Sequence, residues 1–84
     1  MKELIEYIAR SLVDNPMEVQ VRQDRLGSKV RLELRVTKED MGRVIGKSGR
    51  IIRAIRDLMK VLAAKRNQFV DVELFEETPE TTAP

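Results

Sequence analysis

The stretch Val44-Ile45-Gly46-Lys47-Ser48-Gly49-Arg50-Ile51-Ile52 holds the residue types best suited to chemistry in this 84-residue chain. Two glycines bracket a lysine and a serine, aliphatic pairs flank them, and Arg50 follows at once. Small side chains let backbone N–H groups come close to a ligand, and one lysine adds a cation, a combination that suits a phosphate. The aliphatic flanks imply a loop held between two packed elements, since a linker would have no reason to be bordered by core residues. Gly46-Lys47-Ser48 is also how a nucleotide-binding P-loop ends. That motif needs a glycine at position 41, where Met41 stands, and Gly42 leaves the spacing one residue short. A helical hairpin with no ligand, Gly46 closing one helix and Gly49 opening the next, is the other competing reading. Against it stand Lys47 at the tip and Arg50 and Arg53 in the first turn of the second helix, where the macrodipole disfavours cations. An anion bridging these cations would supply the missing reason.

The rest of the composition narrows the chemistry. The chain has no cysteine and no histidine, which removes disulfides, thiolate metal sites, the commonest zinc ligand and the commonest general base. The adjacent acid pairs are Glu39-Asp40, which complements a helix N-terminus, and Glu76-Glu77 near the end of the chain. Neither sits beside a nucleophile, so the expectation is a protein that is not an enzyme, with no metal and no cofactor. No apolar run reaches the ~18 residues of a membrane span and no signal-peptide core is present, so a cytoplasmic, soluble protein is expected. The net charge of +2 is unevenly spread. Residues 38–66 carry nine basic side chains against three acidic ones, and residues 67–84 carry five acidic and no basic ones. Cations therefore gather on the segment that contains the glycine loop, which points to a polyanion as partner.

The elements that must position the loop follow from periodicity. Residues 1–13 read as a helix with Met1, Leu4, Ile5, Ile8 and Leu12 on one stripe, stopped by Asp14-Asn15-Pro16. Met17, Val19 and Val21 alternate with polar residues as a strand, Leu26-Gly27-Ser28 is a turn, and Val30, Leu32, Leu34 and Val36 form the second strand of a hairpin. Thr37 can cap a short helix over 38–45, with Asp40 as an imperfect capping box, and Met41, Val44 and Ile45 directed inward. Residues 50–66 form a longer helix with Ile51, Ile55, Leu58, Met59 and Leu62 as its apolar stripe and Arg50, Arg53, Arg56 and Lys60 opposite. Val70, Val72 and Leu74 make a last strand, and residues 76–84 read as a disordered acidic tail. The order α-β-β-α-α-β predicts a single α+β domain, 1–75, in which three helices cover one face of a three-stranded sheet in two layers.

With a helix on either side, Val-Ile-Gly-Lys-Ser-Gly-Arg-Ile-Ile resembles the Gly-x-x-Gly signature of KH domains, which clamp about four nucleotides of single-stranded nucleic acid. The element order is similar to the type II arrangement. The segments Ser11-Leu12-Val13-Asp14-Asn15-Pro16, Leu34-Arg35-Val36 and Glu39-Asp40-Met41-Gly42-Arg43-Val44-Ile45-Gly46-Lys47 look like the family of small bacterial stand-alone KH proteins called KhpA. The likeness covers residues 3–75, and its central motif is complete. It implies that Gly46, Lys47, Ser48 and Gly49 hold the nucleic-acid backbone. Ile45 and the first turn of the next helix would form one apolar wall of a base-receiving groove, and the second strand near Leu34 to Val36 the other. It further implies RNA binding with an RNA-chaperone role and pairing with itself or with a larger KH partner, KhpB (also called Jag or EloR). A link to cell-wall growth and cell shape comes with it.

Arg50 and Arg53 adjoin the loop and are assigned to phosphate contact, whereas Arg56 and Lys60 lie one to two turns further off. The aromatic residues are Tyr7, Phe69 and Phe75, none of them near the loop, so stacking should add little to affinity. A protein-interaction module is the alternative function, with the outer side of the long helix, including Val61 and Ala64, as its surface.

Overall fold

The computed structural model describes residues 1–77. Helix α1 spans Lys2–Leu12 and places Ile5 and Ala9, one turn apart, fully in the interior. Val13 is extended, and Pro16 opens a 3-10 turn over Pro16–Glu18, as its fixed φ and missing N–H allow. Strand β1 therefore starts at Gln20 and not near Met17, which is 93% exposed and faces away from the core stripe expected of it. β1 (Gln20–Leu26) pairs antiparallel with β2 (Lys29–Thr37) through the two-residue turn Gly27-Ser28, with Leu26 opposite Lys29.

The chain then passes through a 3-10 turn, Lys38–Asp40, into α2 (Met41–Ile45), a second 3-10 turn over Lys47–Gly49, and α3 (Arg50–Lys65). It returns as β3, Phe69–Glu77, which runs parallel to β2. The sheet is thus mixed, in the order β1-β2-β3. The fold is α+β, three helices on a three-stranded sheet, consistent with the type II KH arrangement. β3 takes in Glu76 and Glu77, two residues assigned from sequence to the acidic tail, because the parallel register continues to the Thr37–Glu77 pair. The remainder of that tail, 78–84, lies outside the described residues.

β2 is the central strand, and its inward residues Val30, Leu32, Leu34 and Val36 have no exposed surface. Each such side chain contributes roughly 1.5–3 kcal/mol on burial. Val19 just before β1, Val21 within it, Val70 and Val72 of β3, and Ile52, Ile55, Met59 and Ala63 of α3 line the interior with them. The buried face of α3 is turned from the expected one: Ile52 and Ala63 join Ile55 and Met59, while Leu58 stays 42% exposed. Ile51 is drawn off the stripe because it packs over Gly46, which anchors the start of the helix.

The other face of the sheet carries no helix and is covered by its own charges. Arg31 sits 2.9 Å from Glu33 and 2.8 Å from Glu73, and Arg35 lies 3.6 Å from Glu33 and 4.9 Å above the Phe75 ring. Arg31 and Arg35 flank the buried Glu33 along β2 itself and reach across to Glu73 and the half-buried Phe75 on β3, and Phe69 remains exposed at the sheet's end.

Candidate nucleic-acid interface

The loop joins α2 to α3 with an unusual run of backbone angles. Gly46 has φ 77° and ψ 173°, Ser48 has φ 57° and ψ 26°, and Gly49 has φ 74° and ψ 16°. A left-handed serine costs about 1–2 kcal/mol relative to ordinary helical geometry, so the surrounding contacts impose this shape. Two of the loop's own N–H groups are consumed in holding it. Gly46 donates to the Gly42 carbonyl at 2.8 Å, and Gly49 donates to the Gly46 carbonyl at 3.1 Å. The N–H groups of Lys47 and Ser48, between them, have no main-chain acceptor among the described residues. Both residues are exposed.

Gly49 is also the N-cap of α3, and it supplies no side-chain cap. The first turn of α3 holds no acid and begins with Arg50. The positive end of the helix dipole is therefore met by further positive charge, which concentrates potential at one spot. Arg53 reaches back from the end of that turn, its Nη2 donating to the Ser48 carbonyl at 3.3 Å. Ile45 is half-buried against the core, so it presents one apolar edge beside the loop. The structure thus brings Ile45, Gly46, Lys47, Ser48, Gly49, Arg50 and Arg53 to one place. Arg56 goes elsewhere: its Nε donates to the Val72 carbonyl at 3.1 Å and ties α3 to the edge strand β3.

One expected part of the groove is overturned. Leu34 and Val36 have no exposed surface, and Arg35 between them lies on the opposite face over Phe75. A central strand whose apolar face is closed by helices cannot also wall a groove. The expected capping box is overturned as well. Thr37 makes no side-chain cap bond, and Asp40 turns instead to the end of α1, where the Asp14 and Asn15 N–H groups and the Asn15 amide donate to it at 3.0–3.1 Å. Burial pushes the Asp40 carboxyl up, but those three hydrogen bonds outweigh it and hold it below its ordinary value. The presence of Asp14-Asn15 was legible as a helix stop, but its pairing with a residue 25 positions away was not.

Among the described residues no group of histidines, cysteines or acids is arranged to hold a metal ion, and no helix is long and apolar enough to cross a membrane. The loop thus presents two N–H groups without a main-chain acceptor beside Lys47, Arg50 and Arg53 on a two-layer base.

The chain has clear relatives. A family model described as the KhpA/KhpB KH domain matches residues 2–74. A protein named RNA-binding protein KhpA from Clostridium perfringens is 53% identical over 74 residues, covering 88% of this chain and 99% of that protein. Its namesake in Clostridium acetobutylicum is 54% identical over 74 residues, with the same coverage. The protein of that name in Chlamydia pneumoniae is 43% identical over 77 residues, 92% of this chain and 99% of its own length. The matched span runs from α1 into β3 and takes in the whole of the loop, and on that ground the chain belongs to the KhpA/KhpB KH-domain family.

Proposed function

We propose that this protein binds single-stranded RNA, with Gly46-Lys47-Ser48-Gly49 as the clamp on the sugar-phosphate backbone. The observation that carries the reading is the pair of unengaged N–H groups at Lys47 and Ser48, set on an acid-free helix start between Lys47, Arg50 and Arg53. Relatives over nearly the full chain are named as RNA-binding, which supports the same ligand. A phosphate accepting both N–H bonds would lie within reach of all three cations, and Ile45 would offer an apolar edge to the adjoining base. The protein acts by binding and not by catalysis, as a cytoplasmic RNA chaperone. A loop this small makes few phosphate contacts, so affinity is weak and salt-dependent unless a second copy or a larger KH partner of the KhpB type adds its own. Through that partnership the protein contributes to cell-wall homeostasis and cell shape.

The test is the double substitution Lys47→Asp with Ser48→Asp, which places two negative charges where the phosphate should sit. RNA affinity falls more than about tenfold while the melting temperature changes little. A folded double variant with wild-type affinity would show that the loop is not the site.

A protein-interaction surface is favoured by a separate observation. Ala54, Leu58 and Val61 recur along one exposed shoulder of α3, with Val61 55% and Leu58 42% exposed, while Arg53 and Lys60 occupy the other. Sedimentation with and without RNase separates the roles: a complex indifferent to RNase and lost in Val61→Asp belongs to the apolar shoulder alone.

A further inference from the structure

Asp40 stands one residue before α2, with only 1% of its surface exposed. Its Oδ1 accepts the Asp14 N–H at 3.1 Å, and its Oδ2 accepts the Asn15 N–H and the Asn15 side-chain amide, each at 3.0 Å. Arg43, further along α2, closes the cluster from outside. Its Nη2 lies 2.9 Å from Asp14 Oδ2 and its Nε 4.0 Å from Asp40 Oδ1. Charge-assisted bonds of this kind are among the strongest a chain can make, and a buried carboxylate deprived of them is strongly unfavourable. The cluster therefore holds its geometry tightly.

α2 needs such an anchor. It has five residues, too few for helix propagation to hold it, and although Met41 and Ile45 lean on the core only Val44 is fully buried, so a polar anchor adds to the packing that sets its direction. Its far end runs straight into Gly46, which rests on Ile51. The loop is thus suspended between two supports, the Gly46–Ile51 contact and the Asp40 cluster roughly 8 Å back along α2. We infer that Asp40 is a positioning residue for the loop: by clasping the Asp14-Asn15 backbone it fixes the direction of α2 and with it the pose of the Lys47 and Ser48 N–H groups. This deepens the RNA-binding reading and rests on it. A site built from two N–H groups tolerates misplacement of about 0.5 Å before its bonds degrade. The short segment between α1 and β1 thereby contributes to affinity without touching the ligand.

The experiment compares Asn15→Ala, Arg43→Ala, Asp40→Asn and Asp40→Ala in the full chain. For each variant, thermal unfolding is recorded, and binding of a short fluorescein-labelled single-stranded RNA is titrated across a salt series well below the melting temperature. Asn15→Ala and Asp40→Asn are expected to weaken binding about three- to tenfold and to flatten the dependence of log Kd on log salt by about one phosphate contact. Their Lys47 and Ser48 amide resonances shift or broaden while those of Leu32 and Met59 hold. A wild-type Kd and salt slope in folded variants would overturn the inference, even if melting temperature falls, because a merely structural carboxylate gives that pattern. Should Asp40→Ala fail to fold, Asn15→Ala and Arg43→Ala decide the matter. Lys47→Asp with Ser48→Asp runs in the same assay. If it also leaves affinity unchanged, the RNA reading itself fails; if it abolishes binding while the clasp variants bind normally, only the positioning role fails.

Discussion

A β-carbon on Gly46 would lie 2.5 Å from Cγ1 of Ile51, so the first residue of the loop is seated against the second residue of the helix that follows it. Such a distance is far inside van der Waals contact, and the Ile51 β-carbon itself would stand 2.8 Å away. Gly46 is therefore determined twice, by its neighbour and by a φ of 77° with ψ near 173° that side chains rarely adopt.

Gly46→Ala should accordingly destabilise the domain by about 2–4 kcal/mol, the strained backbone adding to the overpacking. Gly49→Ala meets nothing closer than Arg53 at 3.8 Å and bears only the cost of its φ of 74°, so its loss should stay near ~1 kcal/mol. Chemical denaturation of the two variants side by side checks the order. Equal losses would show that the Ile51 contact is dispensable.

Gly42 gives the opposite sign. It sits inside α2 with nothing within 4 Å of where a β-carbon would go, and its φ is not in the left-handed region. Gly42→Ala should stabilise by roughly 0.5–1 kcal/mol, seen as a melting temperature a few degrees higher.

Arg50 and Arg53 should separate in their effects. Arg50→Ala removes a cation from the start of α3 and should reduce the salt dependence of RNA binding by about one unit while leaving stability the same or slightly higher. Arg53→Ala also releases the Ser48 carbonyl, so its loss of affinity should be larger. Arg53→Lys restores the charge without the guanidinium fork, and should recover only part of it. Titrations at several salt concentrations distinguish the three.

The Asp40 carboxyl lies below its ordinary value in the folded protein, so folding favours its ionised form. That contribution is complete above the unfolded-state value and disappears as pH falls through the folded one. Melting temperature should thus drop more steeply for the wild type than for Asp40→Asn between about pH 5 and pH 2, the two converging in acid. Parallel slopes would remove the carboxylate from that transition.

Local pattern was enough for much of this protein. Alternation placed Val30, Leu32, Leu34 and Val36 on one face of a strand, and helical spacing placed Ile55 and Met59 in the core, because both follow from backbone geometry at short range. The loop residues Gly46 to Gly49 and the cations beside them were equally legible, since they lie within a few positions of one another. Three of the features that were not bear on the site and its support. Met17 alternates correctly with Val19 yet is exposed, because Pro16 starts a 3-10 turn. The resemblance to KH domains put a groove wall near Leu34 to Val36, and only the sheet order, with β2 in the centre, closes them off. Asp40 read as a helix cap and serves as a clasp on residues some 25 positions earlier, a pairing that exists only once α1 and α2 meet. The sequence by itself determined the order of the elements and the residue types that meet at the loop. Tertiary structure alone decided what holds that loop in place, because the contacts responsible join residues that periodicity cannot relate.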